Sequence, residues 1–363
     1  MKYVGEYREA SVVKVLGETI RKEATGEYSF MEVCGGHTSA IHRFGIPSLL
    51  PENVRLLSGP GCPVCVTSIS YIDRLVGLSS EQDVIIACFG DLIRVPGSSS
   101  SLEKEKTRGA DIRIVFSALD AVEIARNNKS KKIIFPGIGF ETTAPGTAAA
   151  IISAYNSGID NFFVLSAHKI MPPAIDSLIV NGTAVNGFIC PGHVATITGA
   201  DSFSFISDKY KLGCVISGFE PADIMLSVLM LVRQINSGRF RTEIQYSRAV
   251  TPQGNLKAKA ILEEVFSLSD TEWRGLGLIK SSGLKIREKY ASFDADSVFN
   301  SAPEITEVRE NALCLCGEVL RGNKIPPDCR LFAKSCTPEN PVGACMVSAE
   351  GACNAFFRYR RNG

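Results

Sequence analysis

The sequence predicts an α/β fold, with two similar Rossmann-like domains on parallel sheets followed by a cysteine-rich C-terminal domain. Three observations predict it. Short β-rich runs recur, most of them entering a Gly- or Pro-bearing turn and then a stretch with helical spacing. The runs fall into two groups of four, at 30–33, 54–57, 84–88 and 112–116, and at 132–135, 161–165, 187–190 and 213–216. Beyond about residue 239 the alternation stops, and six cysteines fall between 314 and 353.

In chain order, a helix precedes the first strand, because Val12, Leu16 and Ile20 recur at helical spacing and Gly26 lies beyond them. The first domain, 1–120, carries a helical pattern at 69–76, and another at 118–126 leads into the second domain. The second domain, 121–238, holds a helix at 147–157 and a strongly apolar one at 222–235, which follows Pro221 and closes before Gly238. Residues 239–363 form a third domain whose loops need a cofactor to hold them.

A chain of 363 residues has room for two or three domains and a substantial core. With 45% hydrophobic and 21% charged residues, it reads as a soluble globular protein. A net charge of +1 argues against a large footprint for nucleic acid or an anionic membrane. The basic tail FRYRR is short and reads as a solvated end. The start, MKYVGEYREASVV, is too polar for a signal peptide, and no apolar run approaches a membrane span. The expected location is the cytoplasm. There, twelve cysteines argue for metal or redox chemistry rather than a disulfide framework.

Seven of the eight strands run into unusual turns: CGGHT (34–38), GPGCPVC (59–65), FGDLIRVPG (89–97), GIGFETTAP (137–145), SAHKIMPPA (166–174), CPGHV (190–194) and SGFEPADI (217–224). Parallel sheets bind ligands outside the carboxyl ends of their strands, so two facing halves would make a cleft lined by these turns. His37, His42, His168 and His193 all lie in or near them. Turn chemistry alone explains the glycines and prolines, but not the Cys, His and Glu beside them. GIGFET begins like a dinucleotide fingerprint, yet Thr142 stands where the third glycine belongs, and no P-loop is present.

Cys62-Pro-Val-Cys65 is a C-x-x-C, a spacing that forms a disulfide or binds a metal. Structural zinc would want a second such pair, and none exists, so redox exchange or iron shared with a third thiolate is favoured. Cys34 is followed by Gly35, Gly36 and His37. Glycines let backbone N–H groups approach a small ligand, and a soft thiolate suits iron. A buried core cysteine is the plainer alternative, and it is the reading for Cys88 and Cys214. Among the C-terminal six, one regular set is Cys316, Cys329, Cys336 and Cys353, with 12, 6 and 16 intervening residues. Cys314 and Cys345 are then left over, and spacing alone does not choose. Such a set suits one 4Fe–4S cluster, with structural zinc as the alternative. The radical-enzyme pattern C-x-x-x-C-x-x-C is absent.

Together, CGGHT, GPGCPVC, GFETTAP, AHKIMPPA, CPGHV and CTPENPVGACMVSAEGAC resemble the HypD family of hydrogenase maturation proteins. The resemblance runs from the thirties to the end of the chain. It implies a scaffold on which the Fe(CN)2CO unit of nickel–iron hydrogenases is built, working with HypC. Cyanide-derived ligands would come from HypE, loaded by HypF. It also implies two α/β domains and a third, iron–sulfur domain, with a 4Fe–4S cluster and thiols similar to those of ferredoxin–thioredoxin reductase.

Carried over by motif, Cys34 becomes the iron ligand shared with HypC, and Cys62 and Cys65 the accompanying thiols. The cluster pattern falls on Cys316, Cys329, Cys336 and Cys353. On this reading the Gly35 and Gly36 amides donate to cyanide nitrogens, and His37 donates a proton or orients the ligands. Cys62 and Cys65 cycle between dithiol and disulfide or hold iron transiently. Glu141, His168 and His193 are expected to support the site from behind. Whether such a scaffold counts as an enzyme stays open, and a cluster-dependent protein disulfide reductase is the alternative. That reductase has no need of CGGHT.

Overall fold

The computed structural model describes residues 5–299 and 311–359. Arg360 and Arg361 of the basic tail lie outside the described residues. The strands, in chain order, are β1 (Tyr28–Glu32), β2 (Val54–Ser58), β3 (Val84–Cys88), β4 (Asp111–Ile114), β5 (Lys132–Gly137), β6 (Phe162–Ser166), β7 (Gly187–Pro191), β8 (Gly213–Ser217), β9 (Thr242–Ile244), β10 (Phe266–Trp273) and β11 (Gly277–Ile286). The first eight are the expected ones, with ends displaced by up to two residues.

They form two parallel sheets, as an α/β chain should, but not the expected two groups. One sheet has the order β2-β1-β7-β8-β9 and the other β4-β3-β5-β6. Every pairing within them is parallel. The second sheet is a continuous piece of chain inserted between the two parts of the first. The expected joint at 120/121 falls inside the helix Ala118–Asn127, between two strands of the second sheet. The reason is physical. Strands buried on both faces, such as Val84–Cys88 and Gly187–Pro191, are apolar throughout and carry no mark of which sheet they join.

The third segment also departs from expectation. Its first strand, β9, pairs with β8 and completes the first sheet. The antiparallel hairpin β10–β11 fastens the two halves together. Trp273 and Ile279 enter the core of the first sheet, whereas Phe266, Leu284 and Ile286 enter that of the second. Among the described residues the cysteine-rich remainder adds no strand to either sheet, and it too packs inward, with Leu320 and Cys345 joining the first core.

The N-terminal helix Ala10–Glu23 lies on the apolar helix Pro221–Ser237. Val13 and Ile20 pack with Val228 and Val232, and Arg233 holds Glu23 through two bonds of 2.7 Å. The long helix ends at Gly238, whose φ of +63° is left-handed and natural for glycine.

This topology sorts the motif turns. CGGHT, GPGCPVC, CPGHV and SGFEPADI leave the first sheet side by side, after β1, β2, β7 and β8. The other three turns leave the second sheet.

Candidate metal and thiol site

Cys34 caps the helix Gly35–Arg43 from an extended conformation, φ −151° and ψ 122°, and is 1% exposed. The amides of His37 and Gly36 hydrogen-bond its sulfur. Burial nevertheless holds the thiol well above its ordinary value, with the carboxylates of Glu32 and Glu350 adding to the effect. The Cys34 amide donates to one oxygen of Glu32 at 3.0 Å, and the Thr38 hydroxyl donates to the other. Burial raises Glu32 to about 8, against the hydrogen bonds it accepts.

Glycine is required around this sulfur by close approach. A Cβ on Gly61 would stand 2.1 Å from the Cys34 nitrogen, and one on Gly35 would stand 2.5 Å from Cβ of Glu350. One on Gly36 would press Phe219 at 3.3 Å. The Gly35 amide donates to the Gly61 carbonyl at 2.9 Å. Both amides expected to greet a ligand are thus already engaged, Gly35 by backbone and Gly36 by sulfur.

His193, at the start of the helix Gly192–Thr198, places Nδ1 3.5 Å from the Cys34 sulfur. His37 points elsewhere. Its Nε2 donates to the Gly218 carbonyl at 2.9 Å, and its ring stacks on Phe219 at 4.7 Å. Burial lowers both histidines to about 4, so both are neutral at physiological pH. The expected proton-donor role for His37 therefore meets a ring whose one hydrogen is already committed.

Cys62 and Cys65 are buried, with Cys62 in hydrogen-bond reach of the Cys65 thiol. Burial first, and then Cys62, pushes the Cys65 thiol well up. The Cys65 sulfur lies 3.7 Å from the carbonyl of Ala344, next to Cys345. Cys65, Arg274, Cys314, Cys316 and Gly343 line one small cavity.

The C-terminal cysteines sort differently from their spacing. Cys316 and Cys345 are joined as a disulfide, with Cα atoms 6.4 Å apart. Of the expected set of four, Cys329, Cys336 and Cys353 keep free thiols, and Cys314 is a fourth free thiol near them. Burial raises the Cys353 thiol, and the charges of Cys314, Cys336 and Cys329 raise it further. Burial likewise raises Cys314, with Cys329 and Cys336 adding to it and the Cys316 amide opposing. The Val342 amide donates to the Cys336 sulfur at 3.3 Å. Four soft thiols, amides aimed at sulfur and a wall containing Phe332 and Met346 suit an iron–sulfur cluster by donor type. Among the described residues no three His, Cys, Asp or Glu side chains stand as a closed metal-binding group.

The other two expected residues serve the loops of the second sheet. His168 bonds the Thr147 hydroxyl at 2.9 Å and the Gly139 carbonyl at 3.3 Å. Glu141 accepts from the Met171 amide at 2.8 Å. One loop of that sheet does reach the site, since Asp91 accepts from Ser348 at 3.4 Å, and its charge adds to the burial that raises neighbouring Glu350. Sequence reasoning passed over Glu32, Asp91, Phe219 and Glu350. The signal for Glu32 was a lone carboxylate in the apolar run FMEV, while the other three lie inside quoted motifs.

Two parallel sheets, one inserted into the chain of the other, with a buried thiol at the loop end of the first and a cysteine-rich segment packed against it, define an α/β protein with a thiol-lined site. The chain belongs to the HypD family: a family model described as the hydrogenase formation hypA family matches residues 11–360. It is 47% identical over 372 residues to the hydrogenase maturation factor HypD of Cupriavidus necator, covering 99% of this chain and 98% of that one. It is 45% identical over 371 residues to that of Azotobacter vinelandii, covering 99% and 97%. With that of Escherichia coli it shares 43% over 370 residues, covering 99% of each. Among the described residues no helix is long and apolar enough to cross a membrane.

Proposed function

We propose that this chain acts in hydrogenase maturation, as the scaffold that takes iron as its cargo and, with HypC, carries the Fe(CN)2CO unit while it is assembled. HypE delivers the cyanide-derived ligands after loading by HypF, and the work takes place in the cytoplasm. The observation that carries this reading is Cys34, a single buried thiol between helix-terminal amides and His193. Iron takes a thiolate, so binding must release the Cys34 proton, and Nδ1 of His193 is the acceptor at hand. Phe219 and the glycines keep the site dry and narrow.

The second part concerns the remaining thiols. Cys314, Cys329, Cys336 and Cys353 would hold a 4Fe–4S cluster, which when bound supplies one-electron exchange. Cys62 and Cys65 share a core with Cys345, and Cys65 lines a cavity with Cys316. A balanced exchange connects the two pairs. Cys65 would attack Cys316 as its proton passes to the departing Cys345 sulfur; Cys62 would then attack Cys65 as its own proton passes to the departing Cys316. Two electrons pass to the C-terminal pair, and Cys62–Cys65 is left as the disulfide. The same arrangement favours a second reading, a protein disulfide reductase.

Anaerobic purification with iron and sulfide analysis, Mössbauer and infrared spectroscopy, with and without co-expressed HypC, tests both. The scaffold reading expects a low-spin iron with cyanide and CO bands only alongside HypC. A protein that reduces disulfides without HypC, and never carries the extra iron, is a reductase.

A further inference from the structure

His37 is fully buried, and its Nε2 faces a carbonyl oxygen. A carbonyl only accepts, so Nε2 carries the ring hydrogen and Nδ1 holds the lone pair. Nδ1 is buried and has no hydrogen-bond partner among the described residues. The ring is pinned against Phe219, with planes 25° apart, and cannot exchange its two nitrogens freely.

The carbonyl is itself held. The Gly218 amide donates to Oε1 of Gln245 at 3.0 Å, and Nε2 of Gln245 donates to Asp223 at 2.8 Å. Asp223 is wholly buried and receives both terminal nitrogens of Arg248, at 2.9 and 2.5 Å. Arg248 in turn lies over the rings of Tyr7 and Tyr246, at 3.9 and 4.4 Å. A side chain at Gly218 would strike Asp223, since its Cβ would stand 2.3 Å from the carboxylate. The Ser217 hydroxyl supplies the same carbonyl with another donor at 2.9 Å.

The geometry points to Asp223, Gln245 and Arg248 as positioning residues that act through the Gly218 carbonyl to fix His37 in the Nε2–H form, leaving Nδ1 as a buried hydrogen-bond acceptor on the helix that Cys34 caps. This inference rests on the reading of Cys34 as the cargo thiol and adds a selection rule to it. A lone pair repels another lone pair, so Nδ1 would reject a bare cyanide nitrogen brought to it. It welcomes a small ligand that still bears an N–H or O–H. Donation to bare nitrogen falls to other groups.

Nitrogen-15 NMR of histidine-labelled protein, free of iron and partner, tests the inference directly. The resonance lost in His37→Gln is expected to show a protonated Nε2 and an unprotonated Nδ1 at neutral pH. Gln245→Leu and Asp223→Asn are expected to turn it into a mixture of forms, with the fold unchanged by circular dichroism. HypC-dependent iron retention should fall about tenfold in those variants, in line with other outer-layer positioning groups. A protonated Nδ1 in the parent, or an unaltered ring in Gln245→Leu, overturns the inference. Because the ring is read without cargo, its outcome is separate from the scaffold reading, which fails on iron retained by Cys34→Ala.

Discussion

The sulfur of Cys34 lies 3.5 Å from Nδ1 of His193, although 159 positions separate them in the chain. The contact exists because β1 and β7 are neighbours in one sheet and each ends in its own glycine-bearing turn. Burial keeps the sulfur protonated and the imidazole neutral, so the pair rests uncharged, and a metal bound there would have to draw the proton away.

Removing either partner should therefore separate capture of cargo from the rest of the protein. Cys34→Ala is expected to lose the iron held with HypC and keep the iron and sulfide of the C-terminal segment. His193→Ala should keep that segment too and retain about tenfold less cargo iron. Metal analysis of the HypC complex decides, and normal iron in Cys34→Ala removes Cys34 from the site.

Gly61→Ala asks whether close packing sets the thiol. Its Cβ would meet the Cys34 backbone at 2.1 Å, where no flexible side chain can yield. Overpacking of this kind costs about 1–3 kcal/mol or more. Gly146→Ala is the control, since its Cβ meets nothing within 4 Å and the site is helical. Denaturant titration should show a loss for the first and a gain of about 0.5–1 kcal/mol for the second.

The cysteine sorting is testable by single substitutions. Cys314→Ser, Cys329→Ser, Cys336→Ser and Cys353→Ser should each abolish the iron and sulfide of the C-terminal segment. Cys316→Ser and Cys345→Ser should leave both in place, and each should remove one titratable thiol after reduction and free its former partner before it. Loss of sulfide from Cys316→Ser with its retention in Cys314→Ser restores the set suggested by spacing.

Two buried groups give the fold opposite pH limits. Burial raises Glu141 from 4.5 to about 7, so the folded state keeps a proton that the unfolded chain has already released. Stability is present below the unfolded value and falls as pH climbs through about 7. Burial lowers His168 from 6.5 to about 4, so its contribution is present above 6.5 and falls as pH drops through about 4. Glu141→Gln should keep the bond from Met171 and gain roughly 1–3 kcal/mol at alkaline pH. At pH 4 the substitution should be nearly neutral. Denaturation midpoints at both pH values check this, and an equal effect at each would show that Glu141 does not titrate as described.

Much of the site was legible because glycine and proline announce where a strand stops. CGGHT, GPGCPVC and CPGHV pointed to Cys34, Cys62, Cys65 and His193, and the fold brings those turns to one end of one sheet. Which sheet each strand joins was not legible, since an apolar strand such as Val84–Cys88 fits equally well beside several neighbours. The cysteine pairing was hidden for a related reason. Cys314 and Cys316 are two residues apart, and only the turn of the backbone sends one sulfur toward Cys353 and the other to Cys345. Gln245 and Arg248 gave no sign at all, because an ordinary polar residue becomes a positioning group only through the partner it meets.

The interrupted first sheet also puts the site on a clock. The Cys34 and GPGC turns are made early, but the walls contributed by His193, Phe219 and Gln245 leave the ribosome only after the whole second sheet has been translated. At ~5–20 residues per second, that interval is roughly 10–40 s. Throughout it the nascent chain exposes the Cys34 thiol on its glycine loop, with Cys62 and Cys65 nearby in sequence, while the inserted sheet, being continuous, is free to fold first. On the scaffold reading, iron offered during translation would meet half a site, and loading would have to wait for a finished chain.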